Sequence, residues 1–198
     1  MIVRPTYAIA LAILVTGCGR DGARPADQPF TPLVPSALNA AAPAREAVLI
    51  NMLDACDPET FNAKSISCTR AGGVTFDRFI EHLTRFGLIG PWRFAPAVAN
   101  VRVGQSFVAT NIGGEVHTFT RVADFGGGIV PLLNDLAHVP RVAPECALEA
   151  LEPDDFVPPG GTYRETIDRA GTMKFQCCIP PWMRLDASSR DSNQPASR

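Results

Sequence analysis

Three side chains in the second half of the chain carry donors suited to a soft metal ion. Cys177 and Met183 lie in one short segment, Gly171-Thr172-Met173-Lys174-Phe175-Gln176-Cys177-Cys178-Ile179-Pro180-Pro181-Trp182-Met183-Arg184. They offer a thiol and a thioether. His117 lies in an earlier segment, where Val103 to Asn111 is followed by Gly113-Gly114-Glu115-Val116-His117-Thr118-Phe119. It offers an imidazole. Thiolate and thioether are soft donors. Other chemistry is thinner. The 3 histidines are too scattered for the clustered ligands of a zinc enzyme. Ser36 and Ser106 sit in no nucleophile motif, and no glycine run opens a helix with a phosphate-binding signature. Glu152, Asp154 and Asp155 read as a solvated acidic loop.

The spacing of Cys177, Pro180 and Met183, ending in Pro181-Trp182-Met183, resembles the Cys-x-x-His-x-x-Met loop of the cupredoxins, the plastocyanin-like proteins and amicyanin especially. His117, after an Asn and a Gly-rich turn, resembles the first histidine ligand of that family. The resemblance covers Trp92 to Arg184. It implies a mainly β fold, a Greek-key cupredoxin-like β-sandwich, with copper as cofactor and one-electron transfer to a redox partner protein rather than enzymatic turnover. A type 1 copper site needs two imidazoles and a thiolate near one plane, with a weak axial thioether. Carried over residue by residue, the metal ligands are His117, Cys177 and Met183. The loop imidazole is missing, because Pro180 has no lone pair for a metal and fixes its own φ. His138, in the long insertion before Cys177, is the available substitute, although a histidine in an insertion is usually exposed. The expectation is a copper-binding electron-transfer protein with an incomplete type 1 site. Pro180 favours the competing expectation, a metal-free cupredoxin-like module that is structural or binds a partner.

Those ligands need elements to position them. Val48, Leu49, Met52 and Leu53 suggest a short helix over Arg45–Leu53, and Thr75 can cap a second whose apolar face is Phe76, Phe79, Ile80, Leu83 and Phe86, ended by Gly87 and Gly90. Residues 45–90 therefore read as a small N-terminal helical appendage, with His82 on its surface. From Trp92 the pattern changes to short β-like runs: Trp92–Phe94, Asn100–Val103, Ser106–Asn111, Glu115–Val122, Thr162–Ile167 and Thr172–Cys177. Gly126-Gly127-Gly128 and Pro158-Pro159-Gly160-Gly161 mark turns, and Leu132–Ala137 reads as one helical turn in a long excursion. The cupredoxin-like domain is placed at 91–185. Asp186 to Arg198 is polar and reads as a disordered tail over 186–198, so the sandwich is expected to lack its closing strand.

The compartment follows from the N-terminus and the cysteines. Arg4, an apolar run from Tyr7 to Val15, and Val15-Thr16-Gly17-Cys18 fit a signal peptide over 1–17. The tetrad resembles the bacterial lipobox, which implies a lipid on Cys18, a membrane attachment at the bacterial cell envelope, and a flexible tether over 18–44. With Cys18 set aside, five of the 6 cysteines remain in an oxidising space. Cys56 and Cys68 are expected to bridge. On a strand, neighbours face opposite ways, so Cys177 points inward with Phe175 and Cys178 outward toward Cys146. A Cys146–Cys177 bridge is the alternative, and it would leave no thiolate. With 46% apolar residues the chain can bury a core, and 18 Pro and 16 Gly favour a turn-rich β fold. A net charge of −2 with no basic run argues against a nucleic-acid partner.

Overall fold

The structure, a computed structural model, describes residues 46–191. The signal peptide, Cys18 and most of the tether lie outside the described residues. In chain order the elements are strand β1 (Val48–Leu53), helices α1 (Pro58–Asn62) and α2 (Phe76–Phe86), strands β2 (Arg93–Ala95), β3 (Val98–Arg102), β4 (Ser106–Asn111), β5 (His117–Thr118) and β6 (Thr120–Val122), helix α3 (Pro131–Leu136), and strands β7 (Phe156–Val157), β8 (Thr162–Thr166), β9 (Gly171–Gln176) and β10 (Arg184–Arg190).

Two four-stranded sheets form a sandwich, one in the order β2-β1-β4-β8 and the other β3-β10-β9-β6, with β5 and β7 paired beside them. The pairings are antiparallel except β1 with β4 and β3 with β10. The core is aromatic and draws on both sheets. Phe94, Phe107, Phe119 and Phe175 are each no more than 1% exposed. Phe119 stacks on Phe175 at 4.6 Å, while Phe94 and Phe107 meet these rings edge-on. Each such pair adds about 0.5–1.5 kcal/mol to the apolar burial. The expected fold class, a mainly β sandwich, is the one observed.

Two elements differ from the sequence reading. The first is β1, which was expected as a helix over 45–53. It alternates instead: Ile50 and Met52 are buried while Leu49 and Asn51 face out. Leu49, apolar yet exposed, masks the two-residue period, and a short apolar run cannot reveal its own periodicity. Pairing with both β2 and β4 decides the matter. The second is β10, which occupies Arg184–Arg190 where a tail was expected from 186. Leu185 and Ala187 point inward with Ser189, whose hydroxyl donates to the Arg169 carbonyl at 2.6 Å. Small and polar inward residues hid this strand, although it pairs with both β3 and β9.

The helical part is thus shorter than 45–90. In α2 the Thr75 hydroxyl caps the helix by accepting from the Arg78 amide, and Gly87 ends it with φ 70°. Its buried Phe79 joins Phe61, Phe76 and Trp92 in an aromatic cluster. Cys56–Cys68 closes the connection between β1 and α2, with Cα atoms 6.2 Å apart. No helix among the described residues is long and apolar enough to cross a membrane.

Candidate metal centre

The site lies where β5 meets the loop from β9 to β10. His117 opens β5 and is 1% exposed. Pairing of β5 with β7 sets it opposite Val157. Cys177 follows β9, is fully buried, and is the free cysteine among the described residues. Its Sγ stands 3.8 Å from His117 Nδ1 and accepts the Thr118 amide at 3.2 Å. The loop folds back on itself: the Cys177 amide donates to the Met183 carbonyl, and the Met183 amide to the Pro180 carbonyl. Met183 is fully buried in the same core as Cys177. The structure therefore brings His117 and Cys177 side chain to side chain, with Met183 tied to Cys177 through the backbone.

Strand parity operates as expected. Cys177 faces the main core, and Cys178 faces the other way, bridging Cys146 with Cα atoms 5.2 Å apart. The alternative Cys146–Cys177 bridge is not formed. The Cys178 amide donates to the Thr118 hydroxyl at 2.8 Å, so Thr118 steadies both cysteines.

Pro180 is buried and helps to line a cavity of about 30 Å³ with Phe79, Trp92, Glu115, His117, Leu133 and Ile179. That is room for about one water. Residues from α2 and α3 close this space, and no imidazole stands at position 180. His138 does not replace it. It is exposed and lies beside Gly87, at the end of α2. His82 is exposed on α2, edge-on to Phe86.

Two acidic residues at the site escaped the sequence reading. Asp54, at the end of β1, accepts from His117 Nε2 at 2.9 Å. Its side chain is 1% exposed. Burial works against its charge, but hydrogen bonds from His117 and from the Glu115 and Gly114 amides outweigh that and hold the carboxyl below its usual range. Burial likewise opposes a charge on His117, yet the bond to Asp54 and the nearby Cys177 raise its pKa to about 9. Burial raises Glu115 to about 7, against the pull of a hydrogen bond donated by Trp92 Nε1. A signal for Asp54 existed only in Gly113-Gly114, and it becomes readable once β1 is known to lie beside β4. Asp54, Cys56 and Glu115 also present atoms within 4.8 Å of one another. The Cys56 sulfur is committed to a disulfide, however, and the Asp54 carboxylate to N–H donors.

No family model and no curated protein matches the chain. Among solved structures it is similar to a purple cupredoxin from Nitrosopumilus maritimus, at 14% identity over 73% of this chain and 100% of that one, with a TM-score of 0.40. It is also similar to the oxidised form of plastocyanin from Dryopteris crassirhizoma, at 14% identity over 72% and 100% of the two chains and a TM-score of 0.37. A Cu(I) amicyanin variant matches at 19% identity over 50% of this chain and 73% of its own, with a TM-score of 0.33.

Proposed function

We propose that the chain is a copper-binding electron-transfer protein of the bacterial cell envelope, with His117, Cys177 and Met183 holding the metal in an incomplete type 1 site. The observation that carries this reading is the 3.8 Å approach of His117 Nδ1 to the buried, free Cys177 thiol. The donors fit a metal. A nitrogen about 2.0 Å and a sulfur about 2.3 Å from one ion, at a trigonal angle, would stand about 3.7 Å apart. One thiolate, one thioether and one imidazole form a soft set that suits Cu(I).

Copper supplies a one-electron couple when bound. The rest is the chain's work. Burial of His117, Cys177 and Met183 keeps water from the donors and disfavours the more highly charged Cu(II) state. The Thr118 N–H on Cys177 Sγ draws charge from the sulfur and favours the reduced state further. Pro180 removes the second imidazole that would share the charge of Cu(II). Two disulfides support an oxidising compartment. A lipid on Cys18 would place the protein at the envelope membrane, where a redox partner protein would meet it.

The test is a Cu(I) competition titration of purified protein, with metal content and the visible spectrum recorded. Stoichiometric Cu(I) uptake with a weak or absent thiolate-to-Cu(II) band is expected. The second reading, a metal-free cupredoxin-like module, draws on buried Pro180 beneath Phe79 and Leu133. It replaces the first if folded protein takes up no copper.

A further inference from the structure

We propose that Asp54 is the positioning residue of this site: its carboxylate keeps the proton of His117 on Nε2, so that Nδ1 is the nitrogen donor presented to Cys177. The inference rests on the copper reading of His117 and Cys177.

Among the described residues, every hydrogen-bond partner of the Asp54 carboxylate is an N–H group. Oδ1 accepts from the Gly114 amide at 2.9 Å and the Cys56 amide at 3.4 Å. Oδ2 lies 2.8 Å from the Gly114 amide, 3.0 Å from the Glu115 amide and 2.9 Å from His117 Nε2. Backbone amides only donate, so both oxygens are acceptors, as in an ionised carboxylate. The ring nitrogen against Oδ2 must then carry hydrogen. In a neutral imidazole the other nitrogen carries the lone pair, and that nitrogen is Nδ1, 3.8 Å from Cys177 Sγ. The bond made by one ring nitrogen thus decides what the other can bind.

The surroundings are shaped for this carboxylate. A Cβ at Gly113 would stand 2.0 Å from Asp54 Oδ2, and one at Gly114 would stand 2.8 Å from Cys56 Sγ. Only glycines let the turn close over the acid. The Cys56–Cys68 bridge and the bond from the Thr69 amide to the Gly114 carbonyl hold the turn against the end of β1. An amide in place of the acid cannot satisfy this set. The side chain introduced by Asp54→Asn would turn its NH₂ either against backbone N–H groups or toward His117 Nε2, and the latter moves the ring proton to Nδ1.

Two measurements test the inference on wild type and Asp54→Asn. The first is ¹⁵N NMR of His117 in the metal-free protein, followed upward in pH until the ring has lost its imidazolium proton. Wild type should show the Nε2–H tautomer, and Asp54→Asn should lose it. The second is Cu(I) competition titration, in which Asp54→Asn should bind about 10–100-fold more weakly. An Nδ1–H tautomer in wild type overturns the inference, whether or not the variant folds. So does a folded Asp54→Asn that keeps both the tautomer and the affinity. A wild type with the Nε2–H tautomer that takes up no Cu(I) supports the Asp54–His117 assignment and overturns the copper reading alone.

Discussion

Replacing Pro180 with histidine puts an imidazole where the site lacks one. Pro180 is buried, and the free space beside it is about 30 Å³, less than an imidazole ring fills. Phe79, Leu133 and Ile179 line that space and must give way. Overpacking of this kind costs about 1–3 kcal/mol, which at this chain length lowers Tm by about 2–12 °C. The bond from the Met183 amide to the residue 180 carbonyl does not depend on the side chain and should persist. Most domains have about 5–15 kcal/mol in hand, so Pro180→His should fold. A second nitrogen donor should tighten Cu(II) binding at least about tenfold, or ~1.4 kcal/mol, and give a strong visible thiolate-to-Cu(II) band. The assay is Cu(II) titration followed by absorption, with thermal unfolding by circular dichroism in parallel. A folded Pro180→His that stays colourless and binds no copper refutes the reasoning, since the donors would then fail to meet around one metal.

Cys177→Ser should abolish Cu(I) uptake in the same competition titration while both disulfides persist on non-reducing peptide mapping; undiminished uptake would assign the metal elsewhere. Leu185→Ala should cost about 2–5 kcal/mol in denaturant unfolding, because Leu185 is fully buried on β10; a cost near zero would argue against β10 as a sheet strand. Removing Cys56–Cys68, whose cysteines are 12 apart in sequence, should cost about 3 kcal/mol on the loop-entropy estimate, and through Asp54 it should also weaken Cu(I) binding. A loss of stability with unchanged Cu(I) affinity would separate the bridge from the site.

The sandwich and the cysteine pair after β9 were legible because they are written in local patterns. Alternation along Thr172–Cys177 sends Cys177 and Cys178 to opposite faces, and the structure keeps that assignment with Cys178 bonded to Cys146. Helix α2 carried both its cap and its stop, Thr75 and Gly87, next to its apolar stripe. What stayed hidden depends on neighbours distant in sequence. Strand β1 is a strand because β2 and β4 flank it, and Leu49 on its outer face disguises the alternation. Strand β10 buries Ala187 and Ser189, which no hydropathy pattern distinguishes from a tail. Asp54 could not be assigned to the site while β1 was read as a helix, since only the parallel pairing with β4 brings it to the Gly113-Gly114 turn.

The placement of the first and last strands bears on how the polypeptide reaches its folded state. Strand β1 is an interior member of one sheet and β10 an interior member of the other. The first sheet can grow outward from β1 in the order of synthesis, but the second cannot, because its interior strand β10 follows β3, β6 and β9 in the chain. Until Arg184–Arg190 leaves the ribosome, β3 and β9 each present an unpaired edge toward the gap it will fill. A nascent chain that has not yet delivered β10 exposes open strand edges of the kind that pair with other chains.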